Sequence, residues 1–222
     1  MANEESVAKS TRIILFAKAP VAGRVKTRLI PALGADGAAQ LARRMLDHAL
    51  NIAGAADVGS LELCASPAPT HPDWQNIPLP AGIETSDQGD GDLGERMARA
   101  AQRGLAGGQN VLLIGADCPA LGVQHLRDAA AALHDHENPH DAVLLPAQDG
   151  GYLLLGLKTH AASLFEAMPW STAQVAELTL ARMAALGWRV AQLEPLSDID
   201  RPEDLIHLPA AFRPPHSINV LY

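Results

Sequence analysis

Only two cysteines, Cys64 and Cys118, occur in the 222 residues, far apart and outside any CxxC pair. That excludes a disulfide framework and the usual structural zinc pattern, and it suits thiols kept reduced in a cytosol. No long run of lysine and arginine is present, and the formal net charge is -8. A nucleic-acid binder carries a basic patch or stripe, so nucleic acid is not an expected partner. No apolar stretch reaches the roughly 20 residues that a membrane-spanning helix needs, so no membrane is expected either. The first dozen residues are polar and include Glu4 and Glu5, unlike a signal peptide. The expected location is the cytoplasm.

What is there is a globular composition, 48% hydrophobic and 19% charged. The length suits one domain with one core. The expected division is a flexible N-terminus over 1–11, a single domain over 12–208 and an irregular tail over 209–222.

Apolar runs at 13–17, 61–65 and 111–115 read as buried strands, and those at 142–145 and 152–155 flank a Gly150-Gly151 turn. A last strand is expected over 188–193. Helical spacing of apolar residues predicts helices over 35–53, 94–105, 124–133 and 175–186. Strands alternating with helices predict an α/β fold, a mostly parallel sheet covered on both faces in three α/β/α layers. Ligands of such sheets sit beyond the carboxyl ends of the strands, so the residues after each strand are the ones to inspect.

After the first strand, Lys18, Arg24, Lys26 and Arg28 fall within one loop of an otherwise acidic chain. Gly23 permits an unusual backbone angle or a close approach by a ligand. Lys26 and Arg28 can neutralise phosphates. The loop is not a P-loop, because two residues separate Gly23 from Lys26. A solvated surface loop is the plain alternative.

Asp117 follows the central strand. It suits magnesium, which takes one or two carboxylates plus substrate phosphates, and equally a turn or helix cap. Asp198 and Asp200 share a side if the chain is extended there. Either can bring a second metal carboxylate to Asp117, while Asp200 can instead cap a helix begun by Pro202. Gly89, Gly91 and Gly94 let the backbone near Gln88 and Asp92 approach a base or ribose, and Asp90-Gly91-Asp92 spells a short acidic pattern found in many glycosyltransferases. Asp149, Gly150, Gly151 and Tyr152 make either a hairpin turn or an acceptor-side site. Ser171 with Gln174 matches a capping box. His134, His136 and His140 read as solvated rather than metal-binding.

Seven segments in order resemble one family. They are Phe16-Ala17-Lys18-Ala19-Pro20, Gly23 with Val25-Lys26-Thr27-Arg28-Leu29, Gly91 to Met97, Gly115-Ala116-Asp117-Cys118-Pro119, Asp149-Gly150-Gly151-Tyr152, Trp170-Ser171-Thr172, and Asp198-Ile199-Asp200 with Pro202-Glu203-Asp204-Leu205. The chain resembles the bacterial GT-A-like transferases associated with radical-SAM and selenodomain proteins, relatives of the molybdenum-cofactor and phospholactate guanylyltransferases. The resemblance implies the GT-A, or nucleotide-diphospho-sugar transferase, fold in a nucleotide-binding transferase domain. It implies that Lys26 and Arg28 hold a triphosphate, with Ala17, Lys18, Gly23, Arg24 and Thr27 beside them, and that Gln88, Gly91, Asp92 and Gly94 hold the base. Asp117 would hold Mg²⁺ or Mn²⁺ with Asp198 or Asp200, and Asp149 to Tyr152 with Trp170 to Thr172 would face the acceptor.

The expected reaction is nucleotidyl transfer from a nucleoside triphosphate to a small phosphorylated acceptor, with Lys26, Arg28 and Asp117 as catalytic residues. A phosphate nucleophile is already anionic and needs no general base, which fits the lack of an obvious catalytic histidine. Glycosyl transfer from a nucleotide sugar and a catalytically silent nucleotide-binding domain are the alternatives.

Overall fold

The computed structural model describes residues 10–212. The expected flexible N-terminus falls mainly on residues 1–9 and the expected irregular tail mainly on 213–222, outside the described residues. Within them, Thr11 already opens the first strand, and Ala210–Phe212 forms a 3-10 turn whose Phe212 is buried.

Among the described residues, seven strands form one sheet: β1 (Thr11–Lys18), β2 (Leu61–Ser66), β3 (Glu84–Asp87), β4 (Asn110–Gly115), β5 (Ala142–Pro146), β6 (Tyr152–Leu157) and β7 (Val190–Gln192). Their order is β3-β2-β1-β4-β6-β5-β7. All neighbours are parallel except β6, which runs antiparallel to both β4 and β5. The antiparallel pair is the hairpin expected around Gly150-Gly151.

Four α-helices of the described residues cover the sheet: α1 (Ile30–Ala56), α2 (Leu93–Ala106), α3 (Val123–His134) and α4 (Val175–Ala185). Successive residues of a strand face opposite sides. Ile13, Leu15 and Ala17 pack with α1 and α3 residues such as Leu46, Leu50, Leu126 and Leu133. Ile14 packs with Met97, Ala101 and Met183 of α2 and α4 on the other side. The result is the expected three-layer sandwich.

Helix α1 begins earlier than its periodicity predicts. Pro31 sits in its first turn, and Gly34, at φ 69°, kinks it before the regular part. The expected start at Ala35 is where that kink ends. Strand β3 has no counterpart in the apolar pattern. It is a four-residue edge strand of polar sequence, paired among the described residues with β2 alone. A short polar edge is how sheets avoid pairing with other chains, and it leaves no hydrophobic signature. Behind it, the buried Glu62 of β2 collects Arg12, Ser86 and Arg103 and so ties β1, β2, β3 and α2 together. Burial alone would raise the Glu62 pKa, but the hydrogen bonds from these three partners outweigh it and hold the carboxyl below its ordinary value.

Among the described residues, no helix is long and apolar enough to cross a membrane.

Candidate active site

Strand β1 connects to β2 on one side and is paired with β4 on the other. Connections leaving this point run in opposite directions and open a crevice at the strands' carboxyl ends. A cavity of about 660 Å³ lies there. The loop after β1, the turn after β4, the β5–β6 hairpin, the segment before α4 and the chain after β7 all contribute to its wall.

The loop after β1 turns sharply at Gly23, whose φ of 77° excludes an easy side chain. Of the two roles open to this glycine, the structure shows the backbone one. Lys26 follows in the left-handed region at φ 47°, with no glycine to ease it. Such strain in a non-glycine residue persists only where the surroundings enforce it, and it gathers at functional sites. Here it turns the Lys26 side chain inward. Its ammonium is 2.9 Å from Asp117 Oδ1 and 3.6 Å from Asp200 Oδ1, and the side chain is only 3% exposed. Arg28 reaches Asp200 Oδ2 at 2.6 Å from a more exposed position. Residues 26, 28, 117 and 200 therefore meet in one ion-pair chain.

The chain after β7 delivers the carboxylates. Leu196 bridges to Ala147, and the Ile199 N–H donates to the Asp117 carbonyl at 2.9 Å. Ile199 is fully buried among Leu29, Leu41 and Met45. Alternation then places Asp198 and Asp200 on the opposite side, and both line the cavity. Asp200 does not cap the following 3-10 helix. The N-cap is Arg201, the backbone N–H groups of Asp200 and Arg201 both donate to the Asp204 carboxylate, and the Asp200 side chain pairs with Lys26 and Arg28. Burial pushes the Asp198 carboxyl up to about 6, with Asp149 and Asp117 adding repulsion and Lys26 opposing it.

On the far wall, Asp149 accepts from the Gly151 N–H in the hairpin turn, so that turn and the cavity wall are the same feature. A Cβ at Gly150 would strike the backbone of Ala173, which explains the glycine by packing. Tyr152 and Trp170 meet edge to face, centroids 6.5 Å apart, and the Tyr152 hydroxyl donates to Met97 Sδ at 3.9 Å. The expected capping box at Ser171 does not form. Ser171 takes a φ of 64°, Gln174 is the N-cap of α4 without a side-chain bond, and Thr172 Oγ1 donates to the Pro169 carbonyl instead.

Other expected residues stand differently. Ala17, Lys18 and Gln88 line the cavity, and the Gln88 amide is locked by the Ala17 and Cys64 carbonyls. Arg24 pairs with Asp73 at 2.8 Å and, with Thr27, lines a neighbouring recess of about 280 Å³ shared with Lys18, Lys26 and Arg28. Gly91, Asp92 and Gly94 serve α2. Asp92 accepts from the Glu95 N–H while Glu95 accepts from the Asp92 N–H, a reciprocal capping box. Gly94 leaves room for Trp170, whose ring would lie 2.9 Å from an added Cβ. The Asp-x-x-Glu spacing that signals this cap was present in the sequence. Phe16, Leu93, Met97, Cys118 and Arg201 also line the cavity, though none of them was expected as a site residue. Cys118 is buried, with its thiol pushed up to about 11 by that burial, so it is unreactive packing. His134 is bonded to Thr11, away from the site.

Among the described residues, no three His, Cys, Asp or Glu side chains converge as a ready-made metal site. The donor set still fits a hard divalent ion. Asp117, Asp198 and Asp200 face one cavity and offer hard carboxylate oxygens, and magnesium needs only one or two carboxylates when phosphates supply the rest.

The family model described as "Uncharacterized protein conserved in bacteria (DUF2064)" matches residues 32–172. No curated protein matches the chain. Among solved structures, it is similar to a protein from Desulfovibrio desulfuricans G20 described as a nucleotide-diphospho-sugar transferase, with 31% identity over 86% of this chain and 82% of that one and a TM-score of 0.78. A nucleotidyl transferase from Methanothermobacter thermautotroptrophicus aligns over 91% of this chain and 97% of its own at 17% identity, TM-score 0.56. Glucosyl-3-phosphoglycerate synthase from Mycobacterium tuberculosis, solved with Mn²⁺, uridine diphosphate and glucosyl-3-phosphoglycerate, aligns over 90% and 75% at 13% identity, TM-score 0.53. Together these show the GT-A-like fold that the sequence led one to expect.

Proposed function

The chain belongs to the DUF2064 family of bacterial proteins, and on that footing we propose that it is a nucleotidyltransferase that uses a nucleoside triphosphate and a divalent cation. The observation that carries this reading is the meeting of Lys26 and Arg28 with Asp117 and Asp200 at the β1–β4 crevice. Cations beside carboxylates at that point can hold a phosphate chain and its counter-ion together.

In the proposed reaction an acceptor oxygen forms a bond to the α-phosphorus. The bond from that phosphorus to the bridging oxygen breaks, and pyrophosphate leaves with the electron pair. Asp117, with Asp198 or Asp200, would hold Mg²⁺ or Mn²⁺, which supplies charge neutralisation and orients the phosphates. Lys26 and Arg28 exchange carboxylate partners for phosphate oxygens and stabilise the leaving pyrophosphate. Ala17, Lys18 and Gln88 shape the nucleotide side of the cavity, and Arg24 and Thr27 flank the recess in which the outer phosphates would lie. Catalysis is then positioning and charge stabilisation.

Glycosyl transfer is the second reading. It is favoured by the name carried by the Desulfovibrio relative and by the burial of Lys26, which leaves Arg28 as the more open of the two paired cations. The test is thermal stability with each nucleoside triphosphate and each common nucleotide sugar, with and without Mg²⁺ or Mn²⁺. A ligand at a hundred times its Kd adds about 2.7 kcal/mol, or roughly 5–10 °C in a domain of this size. A metal-dependent shift with one triphosphate, followed by pyrophosphate release, is the expected result. A shift with a nucleotide sugar alone moves the assignment to glycosyl transfer. No shift with any of them removes the nucleotide reading.

A further inference from the structure

We propose that the wall formed by Asp149, Tyr152 and Trp170 receives an acceptor alcohol that is neutral or positively charged and carries an apolar or aromatic face, not a phosphorylated acceptor. This rests on the transferase reading above and replaces the expectation of an anionic nucleophile drawn from the sequence.

The first support is the placement of charge. The lysines and arginines lining the cavity are Lys18, Lys26, Arg28 and Arg201. They come from the β1 loop and from the chain after Ile199. Between residues 149 and 175, the lining is Asp149, Gly151, Tyr152, Leu153, Trp170 and small or hydroxyl-bearing neighbours, without a lysine, arginine or histidine. A phosphate group is recognised by paired cations and directed N–H donors. Here it would instead face the exposed Asp149 carboxylate, with Asp198 close enough to feel it. Like charges set against each other reject a partner.

The second support is the aromatic pair. Aromatic residues make up only 4% of the chain, yet Phe16, Tyr152 and Trp170 all line this one cavity. Burial pushes the Tyr152 phenol far up, so it stays neutral, and its hydroxyl is committed to Met97. What Tyr152 and Trp170 offer is ring surface, which attracts other apolar rings and cationic ammonium groups. Ser171 adds a hydroxyl on a left-handed backbone beside the rings, a second strained non-glycine position in the cavity after Lys26. With an alcohol, the oxygen–phosphorus bond forms as the hydroxyl proton is lost to solvent, the bond from the α-phosphorus to the bridging oxygen breaks, and pyrophosphate leaves with the electron pair.

Saturation-transfer NMR on the full chain tests this with benzyl alcohol, tyramine and benzyl phosphate as probes. Mg²⁺ and inorganic pyrophosphate are present to fill the cationic end. Benzyl alcohol and tyramine are expected to show transfer that survives pyrophosphate and is lost in Trp170→Ala. Benzyl phosphate is expected to be displaced by pyrophosphate. Asp149→Lys changes an exposed side chain and leaves the core alone. It should weaken tyramine and strengthen benzyl phosphate by about two- to fivefold each. Pyrophosphate-resistant, Trp170-dependent transfer to benzyl phosphate overturns the proposal, as does the absence of Trp170-dependent transfer from both other probes. The nucleotide reading fails separately, through the absence of any metal-dependent nucleotide shift in the wild-type melt.

Discussion

At one end of the cavity, Lys26, Arg28, Asp117 and Asp200 meet in ion pairs of 2.6–3.6 Å. At the other, Tyr152 and Trp170 meet edge to face beside a run of small polar residues, and among the described residues no ion pair involves Asp149 to Thr172. The ionic end is assembled from three segments far apart in the chain. The aromatic end is assembled from a hairpin and the approach to the next helix. The difference teaches that one end is built to exchange partners, since each cation already has a carboxylate that a phosphate can displace. The other is built to present shape.

The largest effect belongs to the ionic end. Asp117→Asn should lower turnover by about three orders of magnitude while the circular dichroism spectrum stays that of the wild type, because the loss falls on several kcal/mol of charge stabilisation. Wild-type turnover in this variant would remove Asp117 from the metal role. Next come the two cations. Lys26→Met should cost roughly 10²–10³ in kcat. Arg28→Met should cost less, since its side chain is 56% exposed and more easily replaced by solvent. Equal losses would mean that burial does not separate them.

A smaller effect, on stability, joins the two ends. Asp198 titrates at about 6 in the folded chain against an ordinary 3.8, chiefly through burial, then Asp149. Between those values the folded state holds more protons than the unfolded state, so stability falls as pH rises from about 4 to about 6 and levels off above. Asp198→Asn removes that fall. The variant should melt roughly 2–4 °C above the wild type near pH 7 and converge with it near pH 4. A variant that melts lower near pH 7 would show that Asp198 is stabilised, not stressed, by its neighbours. The smallest effect is local. Asp92→Ala removes the α2 cap and should cost about 1 kcal/mol, read as a melting shift, with nucleotide affinity unchanged. A large loss of nucleotide binding would return Asp92 to the site.

Much of this was legible in the residues. Strands β1, β4 and β5 are buried on both faces and carry continuous apolar runs. The expected helices all formed, and the residues after β1 and β4 were the right place to look. The misses share a cause. The polar edge strand β3 has no hydrophobic period to betray it. Ser171 has the spacing of a capping box, yet its left-handed φ of 64° removes it from the helix. Asp200 has the composition of a cap, yet the N-cap falls on Arg201 and the Asp200 carboxylate pairs with Lys26 and Arg28. For Ser171 and Asp200 a local signal was sound chemistry for an isolated segment, and the backbone conformation or partners of the folded chain set a different role.

By itself, the sequence determined the layers and the two chemistries, a cationic loop after the first strand and acidic segments after two later ones. Those depend on side-chain period and on residue type, both properties of short stretches. Only the tertiary structure decided that Lys26 turns inward onto Asp117 and Asp200, that Asp198 faces the cavity, and that the wall opposite the phosphate loop lacks a cation. Those facts depend on distances between residues more than eighty positions apart. Such distances exist only once the sheet brings the ends of its strands together.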